Sequence, residues 1–235
     1  VVYLTSDLAR LMAFQQLGKQ AVLAAHLDSL RELLGADGTL MVSAASLNLC
    51  NTDTPFDPET TPSHQVGVFS EHVRTQEETL RSFHPFVSYA AIGRHAEALT
   101  RDCALTPYGP ETPEARAIDA DALAVSVGLP PNLTCSTIHH VEQMVGVPYR
   151  YAKEFEHPVL RHGIRRHELF YMYVWYRGIG ITRDRTRKIF AALNDTLPIA
   201  RAGLGRGQVS AYSMAAFYSL ATPLLSHDPY IWCET

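Results

Sequence analysis

The sequence predicts an α/β fold, because a strand, a helix and a second strand follow one another within residues 1–43. Residues 1–4 (Val-Val-Tyr-Leu) are typical of a buried strand, and the Thr5-Ser6-Asp7 cluster after them is a good helix N-cap signal. Leucines three or four positions apart between residues 23 and 34 predict an amphipathic helix, which Gly35 ends. Residues 38–43 are typical of a second strand, and such a βαβ unit indicates an α/β sheet.

Further elements are predicted downstream by the type and spacing of apolar residues. Residues 121–127 form an apolar run that Gly128-Leu129-Pro130-Pro131 breaks, which predicts a buried strand followed by a turn. Residues 169–176 are rich in aromatic and β-branched side chains, which favours another strand. Helices are predicted at residues 68–74, at 88–99, after the turn at 128–131, at 183–193 and at 214–225, the last one ended near Pro223.

The domain organisation follows from the chain length and from its least regular segment. Residues 48–64 are polar and carry prolines, so they are predicted to form a long loop, and loops of this length are functional or disordered. No linker divides the chain, so the 235 residues are predicted to form a single domain spanning 1–235. The sequence opens within a strand pattern and without methionine, so we expect part of the natural N-terminus to be absent from it.

Composition argues against several classes of partner. Charged residues make up 19% of the chain and the formal net charge is −4, which argues against a nucleic-acid binder. The one basic cluster, at residues 183–188, contains an acid and fits a helix surface. No apolar run approaches the ~20 residues of a membrane span. Four cysteines without a Cys-x-x-Cys pair indicate free thiols in a reducing compartment, so a cytoplasmic location is predicted.

His139 and Glu142 are the most informative chemical groups in the sequence. They stand three residues apart in Thr137-Ile138-His139-His140-Val141-Glu142, and positions i and i+3 share one face of a helix. A carboxylate beside an imidazole fixes its tautomer and raises its basicity, which is the arrangement of a general base. The same spacing also fits a partly buried structural histidine that a helical neighbour holds.

Several short motifs occur in an order that is typical of one protein family. They are Arg81-Ser82-Phe83-His84-Pro85, Ser88-Tyr89-Ala90-Ala91-Ile92-Gly93, Tyr108-Gly109-Pro110-Glu111-Thr112-Pro113, Thr137-x-His139-x-x-Glu142 and Val147-Pro148-Tyr149-Arg150. With these motifs the chain resembles the aminoglycoside 3-N-acetyltransferase (antibiotic N-acetyltransferase) family, most strongly over residues 66–150. It departs from the family at Leu4-Thr5-Ser6-Asp7-Leu8, where the family usually has a His-Ser-Ser-Leu type of loop.

The resemblance implies a mixed β-sheet flanked by helices, distinct from the GNAT acetyltransferases. It also implies transfer of an acetyl or other short acyl group from acetyl-coenzyme A, or another acyl-coenzyme A, to a primary amine of an aminoglycoside or amino sugar, without a metal. In this interpretation the amine attacks the thioester directly, with His139 as general base and Glu142 orienting it. The expected partners are coenzyme A and a small-molecule amine; a homodimer is left open.

Five residues are candidates for binding the coenzyme. Arg81 and Ser82 suit its phosphate or pantetheine arm, because a guanidinium group matches phosphate geometry, but a structural ion pair explains Arg81 equally well. His84 is a candidate here and a rival candidate for a catalytic residue, although it also fits a residue that pins the turn before Pro85. Ser6 lies between a strand and a helix start, where anions bind. Thr137 is a candidate for a hydrogen bond near the thioester. An ordinary helix cap is the alternative for both Ser6 and Thr137.

Asp53, Asp57 and Glu111 are candidates for binding the acceptor, because a cationic amine favours acidic walls. Solvated surface acids are the simpler interpretation of all three. A later basic and aromatic segment would suit an anionic nucleotide-sugar instead, or form the polar outer face of a sheet. Its residues are Arg161, Arg165, Arg166, His167, Tyr171, Tyr173 and Trp175.

Three other functions remain open from the residues alone. A metal-dependent hydrolase would use the His139/His140/Glu142 cluster with a later histidine such as His157, although adjacent helical histidines diverge by about 100°. A thiol enzyme would use Cys135 as the nucleophile, with His139 four residues later as its base. A catalytically silent homologue would bind coenzyme A without turnover, but it would have no need of the base and its carboxylate.

Overall fold

A computed structural model of the protein describes residues 1–11, 17–184 and 186–234. Its strands, in chain order, are β1 (Val2–Ser6), β2 (Thr39–Ser43), β3 (Leu80–Arg81), β4 (Tyr89–Gly93), β5 (Leu123–Val127), β6 (Arg150–Arg161), β7 (Ile164–Trp175), β8 (Thr182–Arg183), β9 (Ala200–Leu204), β10 (Gly207–Ser213) and β11 (Cys233–Glu234). Its helices are α1 (Lys19–Leu34), α2 (Val68–Arg74), α3 (Ala96–Thr100), α4 (Pro113–Asp119), α5 (Thr137–Val145), α6 (Arg187–Ala192) and α7 (Met214–His227).

Seven of these strands form one mixed sheet, in the order β3-β4-β2-β1-β5-β10-β9. The three central strands are parallel: β1 pairs with β2 on one side and with β5 on the other. The outer neighbours, β4 beside β2 and β10 beside β5, run antiparallel to them. The predicted α/β class, with a mixed sheet flanked by helices, is therefore confirmed.

Helices cover both faces of the sheet, because successive side chains of a strand point to opposite faces. On one face, Leu23 of α1 and Phe69 of α2 pack against Leu4. On the other face, Tyr3 and Met41 lie in a larger core to which α3, α4, α5, α6 and α7 contribute. Among the described helices the longest has 16 residues, and none combines the length and hydropathy that a bilayer span requires.

A long hairpin, β6–β7, lies outside the central sheet. Its twelve-residue strands pair antiparallel, so that Arg150 at the start of β6 stands opposite Trp175 at the end of β7. Phe56, in the predicted loop at 48–64, pairs with Val159 of the hairpin and fixes that loop against it. A small apolar cluster that includes Phe170 holds the hairpin to the rest of the chain.

The predicted helix at 88–99 is wrong in its first half. Tyr89–Gly93 is strand β4, and only Ala96–Thr100 is helical. Ala90 and Ala91 are both fully buried, since they face the cores on opposite sides of the sheet. A strand buried on both faces shows no alternation of polar and apolar residues, and alanine favours helices, so the local pattern is ambiguous.

Two helix boundaries also differ from the predictions. Helix α6 begins at Arg187 rather than at residue 183, because Thr182–Arg183 pairs with Cys233–Glu234. Pro223 lies inside α7, which continues to His227. Buried Ala221 and Leu225 hold α7 on both sides of the proline, so packing offsets the hydrogen bond that Pro223 cannot donate.

Gly93 is required where β4 ends. Its φ is +114°, and an added Cβ would overlap the carbonyl oxygen of Gly38. We expect Gly93→Ala to lower the free energy of unfolding, measured by urea denaturation, by roughly 3 kcal/mol. Gly146→Ala is the control: its φ is +73°, but no atom lies within 4 Å of an added Cβ. That variant should lose only the ~1 kcal/mol that a left-handed backbone conformation costs an alanine. An equal decrease in the free energy of unfolding of both variants would show that the contact between residue 93 and the Gly38 carbonyl is not what requires glycine.

Candidate active site

The candidate site lies at the edge of the sheet where the parallel strands end. Open α/β sheets bind ligands at this edge, beyond the carboxyl ends of their strands. Ser6 at the end of β1 and Ser43 at the end of β2 both line a cavity there. The loop after β5 leads at the same edge into α5, which carries His139. Fold topology therefore brings the predicted base to the place where a ligand would bind.

His139 and Glu142 lie on one face of α5, as their spacing predicts. The imidazole Nδ1 is 2.8 Å from Oε2 of Glu142. An ionised carboxylate can only accept a hydrogen bond, so Nδ1 carries the proton and Nε2 keeps its lone pair. The carboxylate is fully buried and the imidazole is partly exposed. The pair therefore presents a neutral, oriented base.

Arg150 is the second partner of the Glu142 carboxylate. Its Nε lies 2.9 Å from Oε2 of Glu142, and its Nη1 donates to the carbonyl oxygen of Tyr173 at 2.8 Å. The guanidinium group also lies over the ring of Trp175. Because Arg150 and Trp175 form the base of the hairpin, the hairpin helps to hold the carboxylate that orients His139.

The charges around this pair set the pKa values of both groups. Burial lowers the pKa of His139, and the cations Arg150 and Arg183 lower it further, which together outweigh the increase due to Glu142. Burial would raise the pKa of Glu142, but the hydrogen bond with His139 and the ion pair with Arg150 outweigh it and leave that pKa lowered. At neutral pH the site therefore holds a neutral imidazole beside an ionised carboxylate.

Two cavities meet at His139. The larger, of about 820 Å³, extends along the ends of the parallel strands and is lined by hydroxyl-bearing and apolar side chains that include Ser6, Ser43 and Tyr108. The smaller, of about 530 Å³, includes Asn132, Arg183 and Trp232 in its lining. His139 lines both. A group bound in either cavity can therefore lie against the same imidazole.

Arg183 faces the imidazole from the smaller cavity. Its Nη1 lies 3.4 Å from Nε2 of His139, and its guanidinium carbon is 5.7 Å from the ring centre of Trp175 and 5.9 Å from that of Trp232. Arg183 was predicted only to decorate a helix surface. The pairing of β8 with β11 places Arg183 opposite Cys233. Sequence reasoning missed this position because the two strands are far apart in the chain.

Glu114 is a second buried carboxylate, and no sequence motif singled it out. It accepts hydrogen bonds from the hydroxyls of Tyr89 (2.7 Å), Ser136 (3.0 Å) and Thr137 (2.9 Å). Burial raises its pKa, while these hydrogen bonds act in the opposite direction. Glu114 thus fixes the first turn of α5 and the wall of the larger cavity, which Tyr89 and Ser136 line.

Ser6 and Thr137, predicted to bind the coenzyme, lie in different surroundings. Ser6 is half-buried and lines the larger cavity, so the structure brings it to the same cavity as His139. Thr137 is buried, and its hydroxyl donates to Glu114 instead of capping α5. The capping interpretation of Thr137 is therefore wrong, because a buried carboxylate from α4 competes for its hydroxyl.

Arg81, Ser82 and His84 lie behind the wall of the larger cavity rather than in it. Arg81 donates to the carbonyl oxygens of Ala44 and Thr61. The hydroxyl of Ser82 accepts from a backbone amide at 2.9 Å. The His84 Nδ1 accepts from the amides of residues 86 and 87, and its Nε2 is 3.2 Å from a carbonyl oxygen of the hairpin. These contacts are structural, and direct contact of the three side chains with a coenzyme stays a prediction.

The three acids predicted to bind the acceptor do not line either cavity of His139. Asp53 is exposed in the loop beside the hairpin. The Asp57 carboxylate accepts from the amide of residue 59 and the hydroxyl of residue 60, so it holds its own turn. Glu111 is exposed and lies 3.3 Å from Arg116. The role proposed for them from the sequence stays a prediction.

The two rival chemistries find no support in the geometry. Among residues 1–11, 17–184 and 186–234, no group of three or more His, Cys, Asp or Glu side chains is arranged to hold a metal ion. His140 diverges from His139: its Nδ1 accepts from the amide of Gly109, and its ring packs against Tyr218. Burial raises the pKa of Cys135 to about 12, so this thiol is not a ready nucleophile.

Comparison with known proteins identifies the family. The family model described as aminoglycoside 3-N-acetyltransferase matches residues 6–226, which is most of the chain. This α/β protein with a His–Glu pair at the ends of its parallel strands belongs to the aminoglycoside 3-N-acetyltransferase family.

Two curated relatives illustrate the sequence similarity. The chain is 29% identical over 161 residues to aminoglycoside N(3)-acetyltransferase VII of Streptomyces paromomycinus, covering 59% of this chain and 54% of that protein. It is 28% identical over 210 residues to aminoglycoside N(3)-acetyltransferase VIII of Streptomyces fradiae, covering 81% of this chain and 73% of that protein. The first of these matches spans only about half the length of the relative.

Solved structures share the fold over nearly the whole chain. The aminoglycoside acetyltransferase AAC(3)-Xa has a TM-score of 0.81 at 21% identity, and the match covers 96% of this chain and 86% of the AAC(3)-Xa chain. AAC-IIIb in its binary complex with CoASH has a TM-score of 0.81 at 22% identity, and the match covers 97% of this chain and 90% of the AAC-IIIb chain. At these identities the likeness establishes the fold.

The buried His84 makes the stability of the protein depend on pH. Burial lowers its pKa to about 4, whereas an unfolded histidine has a pKa of about 6.5, so the unfolded state binds a proton that the native state does not. The free energy of unfolding should therefore fall as pH decreases from 6.5 to 5, by up to roughly 1.4 kcal/mol per pH unit for this one group. His84→Asn should make that slope shallower in urea titrations at several pH values, whereas the exposed control His95→Asn should not. A slope unchanged by His84→Asn would refute the assignment.

Proposed function

We propose that this protein transfers an acetyl group from acetyl-coenzyme A to a primary amine of an aminoglycoside or an amino sugar. One observation carries the proposal: the neutral, Glu142-oriented imidazole of His139 lies where two cavities meet. Membership of the aminoglycoside 3-N-acetyltransferase family supports the same reaction. The relatives matched are named for N(3)-acetylation of aminoglycosides, which makes a primary amine the expected acceptor.

The larger cavity is the proposed site of the coenzyme. A pantetheine arm is long and mostly uncharged and carries amides, so it suits a cavity lined by hydroxyls and apolar groups such as Thr5, Ser43 and Val87. The solved relative bound to CoASH shares this fold. The smaller cavity, which His139 also lines, is then the proposed site of the acceptor.

His139 makes the acceptor nucleophilic in this mechanism. A primary ammonium has no free lone pair, and Nε2 of His139 removes its proton because Nδ1 is already held by Glu142. The amine nitrogen then forms a bond to the thioester carbonyl carbon, the carbon–sulfur bond breaks, and coenzyme A leaves as the thiolate. The proton held on His139 passes to that thiolate, and the second proton that the attacking nitrogen must lose to become a neutral amide is released to solvent. No covalent intermediate on the enzyme is needed, which agrees with the raised pKa of the Cys135 thiol.

The proposal extends to the setting of the reaction. It treats the 235 residues as one acyltransferase domain that acts in the cytoplasm. The four cysteines are free thiols, which fits a reducing compartment.

His139→Ala tests the proposal directly. Without the base the ammonium keeps its proton, so kcat for thiol release from acetyl-coenzyme A should fall about 100-fold or more. Release is followed with a thiol-reactive dye across aminoglycosides, amino sugars and simple amines. His95→Ala, an exposed histidine at the opposite edge of the sheet, is the matched control and should keep full activity. Thiol release that needs no amine, or that survives His139→Ala, would refute the mechanism.

Glu142→Gln tests the orienting role of the carboxylate through the pH profile. Glu142 raises the pKa of His139 against the effect of burial, so its removal should lower that pKa further. The acidic limb of kcat/KM, which reports the free enzyme, should move to lower pH, and the plateau should fall about tenfold or more because the tautomer is no longer fixed. A reduced plateau with an unmoved acidic limb would indicate that Glu142 serves only the fold.

A further inference from the structure

The smaller cavity of His139 carries an unusual charge for a site that would receive a cation. Among the described residues that line it, Arg183 is the only one with a permanent charge, and that charge is positive. The rest of the lining is polar, as in Asn132 and Thr186, or apolar and aromatic, as in Ile138 and Trp232. The wall of this cavity is therefore basic and aromatic.

Arg183 has no acidic partner in the part of the chain that the structure describes. None of the ion pairs formed by these residues includes it. The nearby carboxylate of Glu142 is already shared by His139 and Arg150. Within the described residues, the one hydrogen bond of the Arg183 side chain is the long contact of 3.4 Å with the lone-pair nitrogen of His139. A guanidinium group binds carboxylates and phosphates through two parallel hydrogen bonds, so this one is poised for an anion from outside the chain.

The same placement disfavours a polycation. An ammonium that approaches Nε2 of His139 must come beside the guanidinium of Arg183, which repels it. The three acids predicted to bind a cationic acceptor do not offset this repulsion, since Asp53, Asp57 and Glu111 line neither cavity, and Asp7, which lines the larger cavity, is paired with Arg10. An acceptor that brings its own negative charge turns the repulsion into attraction.

We infer that the acceptor is an amino sugar that carries a phosphate group, and that Arg183 binds this phosphate while His139 deprotonates the amine. The inference rests on the proposed acetyl transfer and narrows its acceptor. A cavity of about 530 Å³ accommodates a phosphorylated hexosamine. Arg183 is then the residue that selects the acceptor.

Matched acceptors test this selection. Glucosamine, glucosamine 1-phosphate and glucosamine 6-phosphate share one amine and differ in charge, and a polycationic aminoglycoside is the opposite extreme. The wild-type protein should use at least one phosphate about tenfold or more better than glucosamine, measured as kcat/KM for thiol release. Arg183→Gln should reduce that preference to near one. Arg94→Gln, which removes an exposed arginine at the opposite edge of the sheet, should leave it intact.

The coenzyme is the other possible source of a phosphate, and the same variants distinguish it. If Arg183 binds the acceptor, Arg183→Gln raises KM for the phosphorylated sugar and leaves KM for acetyl-coenzyme A unchanged. A rise in KM for acetyl-coenzyme A with an unchanged acceptor preference would overturn the inference. So would equal use of all three sugars, or an aminoglycoside preferred by the wild-type protein.

Tryptophan fluorescence gives a readout that does not depend on turnover. The chain has two tryptophans, Trp175 and Trp232, and the guanidinium of Arg183 lies over both rings. Titration of the coenzyme A complex with each sugar should show tighter binding of a phosphorylated one, lost in Arg183→Gln. Such binding without any acetyl transfer would keep the anion site and refute the proposed function. Neither binding nor transfer of a phosphorylated sugar would overturn the inference.

Discussion

The carboxylate of Glu142 is the group on which the rest of the site depends. It is fully buried and lies between an imidazole from its own helix and a guanidinium from the hairpin. A buried, ionised carboxylate without a partner would destabilise the fold or would take up a proton. The ionisation of the site therefore requires both the helix that carries His139 and the hairpin that carries Arg150. Arg150 keeps Glu142 ionised and Glu142 keeps the proton on Nδ1 of His139, so Nε2 carries the lone pair that faces Arg183.

The sheet supplies the setting for this charge arrangement. The three parallel strands end at one edge, so the loops that follow β1, β2 and β5 converge there. A second buried carboxylate, Glu114, ties the start of α5 to α4 and β4. Two buried carboxylates thus set the position of His139: Glu114 of α4 holds the first turn of α5, and Glu142, within α5 itself, holds the imidazole.

The sequence predicted those features that depend on local order. The βαβ unit at the start, the helix that carries His139 and the i, i+3 relation to Glu142 all follow from spacing along a single segment. The family motifs placed these residues in a known architecture. The partners from distant segments were not accessible in this way: nothing near Arg150 or Arg183 in the chain indicates that both flank one imidazole. Strand β4 was missed because burial on both faces removes the alternation by which a strand is recognised.

The pairing of Arg150 with Trp175 at the base of the hairpin makes the site sensitive to strand register. Side chains alternate between the two faces of a hairpin, so a slip of one residue would turn Arg150 away from Glu142 and leave most backbone hydrogen bonds intact. A misaligned molecule would thus be well folded by bulk criteria and yet carry an unsupported base. Activity would therefore report the register of the hairpin, which the free energy of unfolding alone would not reveal.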